Sequence, residues 1–232
     1  HNMPTTNILV EDTDNFTLIT SVAPDPNSGG HVAVRDGSTS DSIGTISSTL
    51  SVASYQRSSK GGSTTYQCAR AFMLFNVSGI TDTVTSATLN IRRDTGGGFD
   101  VIAVKSSAYG GDGSAPGITT GDHDSLDFST PYSSATNISA STQFYAISLN
   151  ATALTDIKNN NAFIVTLCQH ANDFSDSDPG AGVNVSTTLG ISTGDTSDDR
   201  SPFLAVTTDD GSRPIILKSG LIKVKSGLTI IK

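Results

Sequence analysis

The sequence predicts an all-β fold: a two-sheet antiparallel sandwich of jelly-roll type, with one short helix and an extended β tail. Three observations carry that expectation. Ser and Thr make up about a quarter of the 232 residues, alongside 22 Gly and no Trp. No long window keeps apolar residues at helical spacing. Short β-branched and aromatic runs recur instead, punctuated by Gly, Pro, Asn and Asp, which favours a sandwich or Greek key over a barrel or solenoid. A chain of this length can bury one sizeable core.

In chain order, residues 1–30 hold two apolar patches, Ile8 to Val10 and Phe16 to Val22, before Pro24, Pro26 and Gly29-Gly30 break the pattern. They are expected to form an N-terminal arm or edge strand. A sandwich domain is expected over residues 31–210, opening with HVAVRDG as a first strand and continuing with a second from Ile46 to Ala53. Its organising stretch is Tyr66 to Arg93, expected as a hairpin: a half-buried strand to Phe75 in which Arg70 is the only charge, a turn from Asn76 to Asp82, and an alternating strand from Val84 to Ile91. Gly96-Gly97-Gly98 turns the chain into a strand from Phe99 to Lys105. Ser106 to Ser141 then loses its period, with few apolar anchors, and is expected as a long loop that is either a functional surface or locally mobile. Gln143 to Leu149 is the next strand, and Asn150 is placed to cap a short helix, ATALTDIKN, with Leu154 and Ile157 on one face. Strands follow at Ala162 to Gln169, Val183 to Ile191 and Pro202 to Thr208.

Residues 211–232 change character. Arg213, Lys218, Lys223, Lys225 and Lys232 face no acid after Asp210, so the tail carries +5 and the remainder of this −8 chain carries −13. Lys218-Ser-Gly-Leu-Ile-Lys-Val repeats as Lys225-Ser-Gly-Leu-Thr-Ile-Ile, and Gly with β-branched residues favours extended strands over helix. Its apolar residues Ile215, Ile216, Leu217, Leu221, Ile222, Val224, Leu228, Ile230 and Ile231 are too many to leave in water, which marks an assembly element that docks on a neighbouring chain.

Catalytic motifs are missing from the sequence. His1, His31, His123 and His170 are scattered without metal-ligand spacing, and there is no GxSxG, P-loop or GxGxxG. The expectation is a non-enzyme without cofactor or metal. The acidic loops GDHDSLD, with Asp122, Asp124 and Asp127, and DFSDSDPG, with Asp173, Asp176 and Asp178, offer oxygen ligands of the kind Ca²⁺ takes, but neither matches an EF-hand; solvated Asx-turns are the alternative, and no structural Ca²⁺ site is expected. Tyr109 and Tyr132, taken as exposed in the long loop, are either stacking platforms for a sugar ring or plain anchors. Cys68 and Cys168 fall in strands, as buried thiols or as a disulfide. Asn-x-Ser/Thr sequons at Asn15, Asn76, Asn137, Asn150 and Asn184 are weak signals in so Ser/Thr-rich a chain. The net charge argues against nucleic-acid partners, and neither a membrane-spanning run nor a signal peptide is visible.

The runs HVAVRDG, YQCARAFMLFNVSGITDTVTSATLNI, FYAISLNATALTDIKNNNAFIVTLCQHAND and SPFLAVTTDDG together resemble the β-sandwich domains named for a DNRLRE motif, which are also classed with carbohydrate-binding modules. Arg70, Phe72 and Phe75 stand at the pattern R-x-F-x-x-F, Val84, Ser86, Ala87 and Leu89 at V-x-S-A-x-L, and Pro202, Leu204 and Val206 at the closing P-x-L-x-V. The DNRLRE phrase itself and the tryptophan-rich middle of many members are absent. The version with LNATxL and an acidic loop looks most like copies in tailed-phage genomes. This resemblance implies a virion structural protein, head decoration or fibre, whose partners are other virion subunits and further copies of itself. Extracellular carbohydrate binding, with surface polysaccharide as partner, is the alternative it implies.

Overall fold

The computed structural model describes residues 3–11, 15–23, 30–45, 49–58, 64–115, 117–139, 142–179, 188–192, 200–209, 213–217 and 220–224. In order, its elements are β1 (Thr5–Leu9), β2 (Asn15–Ala23), α1 (Gly30–Arg35), β3 (Ser42–Thr45), β4 (Thr49–Ser58), β5 (Thr64–Asn76), β6 (Thr83–Gly96), β7 (Phe99–Ser106), β8 (Leu126–Pro131), β9 (Thr136–Ile138), β10 (Phe144–Ser148), α2 (Ala151–Asn159), β11 (Ala162–Gln169), β12 (Thr188–Ser192), β13 (Phe203–Asp209), β14 (Arg213–Leu217) and β15 (Gly220–Val224). All the strand pairs are antiparallel, as the sequence predicts.

A small layer runs β1-β13-β6-β10, and a larger one holds β12, β4, β5, β11, β7 and β8, with β2 on the other edge of β5. The two layers join where the far end of β6, from Arg93 to Gly96, leaves β13 and pairs with β12. The main core fills the space between them: Met73 and Phe75 from β5, Leu89 and Ile91 from β6, Val165 and Leu167 from β11, and Leu204 and Val206 from β13 are all fully buried.

The expected hairpin from Tyr66 to Arg93 is not one. β5 and β6 lie in different layers, each edge of β5 being taken by distant strands: β2 along one side, β11 and β4 along the other. The connection from Val77 to Asp82 crosses between layers, anchored by buried Val77, whose N–H donates to Asn161 O at 2.9 Å. Nor is β5 half-buried. Its odd residues Ala71, Met73 and Phe75 enter the main core, while Phe72 and Leu74 enter a second cluster on the opposite face with Ile102, Val104, Ile164 and Cys168. A strand buried on both faces reads as a continuous apolar run, which is the pattern of this segment.

Covering that second face is the stretch expected to be a structureless loop. Ala108, Tyr109, Ile118 and Leu126 pack into the second cluster, and the segment contains two 3₁₀ turns, Tyr109–Gly111 and Thr120–Asp124, as well as β8 and β9. Gly113 sits at φ +79°, and a Cβ there would stand 3.0 Å from Ala162 Cβ, so the turn closes down on β11 only with glycine. HVAVRDG also departs from expectation: Gly30–Arg35 is a short helix with His31 and Val34 buried. His31 and Val34, three residues apart, share the helix face turned inward, while Val32 is exposed. The helix after Asn150 matches, the Asn150 side chain accepting from Ala153 N–H and Ile157 buried. The N-terminal patches supply β1 at the rim of the small layer and β2 beside β5. Val183 to Thr187 and Ile46 to Ser48 lie outside the described residues.

Leu89 sits at the centre of β6 with no exposure, so Leu89→Ala should cost about 2–5 kcal/mol, read as a lowered urea midpoint with an unchanged slope.

Candidate functional site

The charge that stands alone in the apolar run of β5 proves to be the centre of a buried polar constellation. Arg70 projects from the same face of β5 as Phe72 and Leu74, and it is fully buried. Its Nε donates to Asp173 Oδ2 at 3.0 Å and its Nη2 to Asp173 Oδ1 at 2.6 Å, a bidentate pair in which both side chains have zero exposure. The remaining donors reach backbone: Nη1 to His123 O at 2.6 Å and Nη2 to Arg35 O at 2.7 Å. One side chain thereby ties β5 to α1, to the turn at residues 120–124 and to the turn that follows β11.

That last turn explains how a carboxylate reaches the interior. β11 ends in a single π-type turn, His170–Phe174, whose wide loop folds Asp173 beneath the sheet. Arg35 donates from Nε to Asp173 O at 2.6 Å and also lies 3.4 Å from Asp176 Oδ1. The Phe128 ring lies beneath both guanidiniums, 4.7 Å from Arg35 and 5.2 Å from Arg70, and the Phe174 ring packs against it at 6.1 Å. Burial works against the charge on Arg70, and the adjacent Asp173 outweighs it, so the guanidinium pKa is raised. Burial pushes the Cys68 and Cys168 thiols up, with Asp173 adding to it, and both are free, buried thiols and not a disulfide.

His123 is also buried, its Nε2 lying 3.1 Å from Val34 O. A carbonyl only accepts, so Nε2 carries the hydrogen. Burial first and Arg70 second lower its pKa to about 3, which makes it a neutral structural imidazole. His31 is buried too, neither ring nitrogen has a hydrogen-bond partner among the described residues, and Asp176 lies 3.8 Å away. His170 stacks on Phe174. His1 lies outside the described residues.

The acidic loops are thus not equivalent solvated turns. Asp173 is interior, whereas Asp122 closes a capping box with Thr119, and Asp127 accepts from Ser129 and Thr130, which holds its carboxyl below the usual range. Asp124, Asp176 and Asp178 are exposed. Among the described residues no three His, Cys, Asp or Glu side chains converge as a metal site would require. Tyr109 and Tyr132 are no exposed platforms: Tyr109 is fully buried with its hydroxyl donating to Phe72 O at 3.2 Å, and Tyr132 stacks on Phe163 at 5.1 Å and donates to Asp156 at 2.5 Å. Of the sequons, Asn76, Asn137 and Asn150 are exposed but hydrogen-bonded to Ser78, Asp100 and Ala153.

A polar cleft of about 430 Å³ opens beside Tyr132, between the end of α2 and the turn at Gly111. Lys105 Nζ sits 2.8 Å from Asp156 Oδ2 there, and Asp112, Asn159 and Asn161 line the mouth. A second hollow, bounded by Glu11 and Asn76, continues from it across Asp112 and Asn161. In the sequence, the Asn159-Asn160-Asn161 run at the end of the expected helix is the feature that marks this cleft.

The tail residues fall into a hairpin. Ile215, Ile216 and Leu217 lie in β14 and Leu221, Ile222 and Val224 in β15, with Ile215 opposite Ile222 and Ile216 opposite Leu221. Among the described residues these strands pair with each other and with no other strand. Leu228, Ile230 and Ile231 lie outside the described residues. No known family model matches the chain, and no curated protein matches it.

Breaking a buried pair strands a charge, so Arg70→Met should destabilise by about 3–5 kcal/mol, and the double variant Arg70→Met/Asp173→Leu should recover part of that loss in urea unfolding. For His123 the folded pKa lies below the unfolded one, so its contribution is complete above about pH 6.5 and is lost as the pH falls towards about 3. Melting temperature should therefore drop from pH 6.5 to 5, ahead of the carboxylates, and His123→Gln should flatten that part of the profile.

Proposed function

We propose that this chain is a non-enzymatic structural subunit of a larger assembly, a virion component of the head-decoration or fibre kind that its resemblance to tailed-phage copies of the DNRLRE-type sandwich implies. The observation that carries the assembly reading is the tail: an apolar, basic segment whose strands β14 and β15, among the described residues, pair with each other and with no strand of the acidic body. Supporting it, the ionisable groups at the heart of the fold have structural partners. Arg70 and Asp173 neutralise each other, His123 is kept uncharged, and the Cys68 and Cys168 thiols are held away from their reactive thiolate form. Burial of the hairpin's apolar side chains against another subunit supplies the driving force, and opposite charges on tail and body speed the encounter.

Carbohydrate binding is the second reading. The cleft beside Asp156 favours it, because carboxylates, carboxamides and a lysine around one hollow match the mixed donors and acceptors of sugar hydroxyls.

Two measurements separate these. In the assembly reading the chain is found by mass spectrometry in purified particles, and in isolation it sediments as a concentration-dependent oligomer that salt weakens. Truncation after Asp210 yields a monomer with an unchanged melting temperature. Absence from particles together with retention on a polysaccharide column supports the second reading instead.

A further inference from the structure

β1, at the rim of the small layer, pairs with β13 on one side. Among the described residues no strand pairs with the outer edge of β1, and just past its end Glu11 N–H donates to Leu74 O of β5 at 2.9 Å. Natural sheets guard such rims with charge, proline or a bulge. The β1 sequence Thr-Thr-Asn-Ile-Leu has no charge and no proline, and its register with β13 runs unbroken from Thr5 opposite Thr207 to Leu9 opposite Phe203. The phase of the ladder says which backbone groups are open. Thr208 N–H donates to Pro4 O at 3.1 Å and Val10 N–H to Pro202 O at 3.2 Å, so the even residues of β1 face β13. Backbone groups alternate along an antiparallel strand, and those of Thr5, Asn7 and Leu9 therefore face outward. The rim is also apolar for an exposed one: Leu9 is 54% exposed and Met3 44%.

We infer that this open edge of β1 receives β15 from a second copy of the chain by strand addition. The inference rests on the assembly reading above and names its docking surface. Three features select this occupant. Among the described residues β14 and β15 make a two-stranded sheet, which leaves β15, like β1, with one unpaired edge. Both strands are five residues long, and β15 has the sequence Gly-Leu-Ile-Lys-Val, whereas β14 carries Pro214, which lacks a donor. Charge agrees in sign: β15 belongs to the +5 tail, and the body that carries β1 is −13. Pairing satisfies the open N–H and C=O groups of both strands and brings the apolar β15 against Leu9.

Sedimentation of the full chain tests this with two variants of the rim. Asn7→Pro removes an outward N–H without touching the β13 ladder, and Leu9→Lys places a charge at an already exposed position. Both are expected to weaken self-association by about tenfold or more while melting is unchanged, as truncation after Asp210 does. If truncation gives a monomer but both rim variants associate like the full chain, the hairpin docks elsewhere and the inference is overturned while the assembly reading stands. If the rim variants dissociate the oligomer and truncation does not, copies join β1 to β1 and β15 is not the occupant. If neither truncation nor the rim variants change association, or the full chain is monomeric, the assembly reading fails with it.

Discussion

The fold depends on one buried ion pair. β5 is the centre of the larger layer, and its outer face would be left in water by a sandwich of two sheets alone. Arg70 and Asp173 solve this by recruiting the connections as a cover: α1, the 120–124 turn and the π-type turn after β11 all end in a bond to one guanidinium. A buried ion pair is a poor source of net stability compared with an apolar replacement, because desolvation consumes most of the Coulomb gain. Its contribution here is directional. Three carbonyl or carboxylate partners at fixed angles define one arrangement of the cover, which a greasy contact would not.

Once the cover is in place, the second cluster follows. Phe72, Leu74, Ile102, Val104 and Ile164 gain Tyr109, Ile118 and Leu126 as a lid, and the Phe128 ring closes the polar end beneath two cations. The result is a body with two apolar layers separated by a sheet. The cleft at Asp156 lies at the rim of this cover, where the Gly111 turn meets the end of α2.

What was legible in the sequence was what local chemistry decides. Asn150 announces its helix because an N-cap is a property of a few adjacent residues, and β10, β11 and β13 fall where their alternation or apolar run puts them. Pairing was not legible. Alternation tells which residues share a face but not which strand lies alongside, so Tyr66 to Arg93 suggested a hairpin although β5 and β6 sit in opposite layers. The cover from Ser106 to Ser141 was hidden for a related reason: Tyr109, Ile118 and Leu126 are isolated anchors whose burial is decided by strands far away in the chain. Arg70 was visible as the lone charge of its run. Its partner was not, since Asp173 looks no different from exposed Asp176 and Asp178 until the π-type turn folds it inward. The tail was legible as strand at β14 and β15, and their pairing with each other was not.

The body is locked from within, and among the described residues β14 and β15 pair only with each other. The central claim is that Arg70 clamps the cover to the sheet, and its side chain reports on that directly. In ¹⁵N NMR the Arg70 Nε–H should exchange with solvent as slowly as the backbone amides of Phe72 to Phe75, because releasing it requires the same opening. Exchange of that Nε–H at the rate of an exposed arginine, while those amides stay protected, would contradict the account.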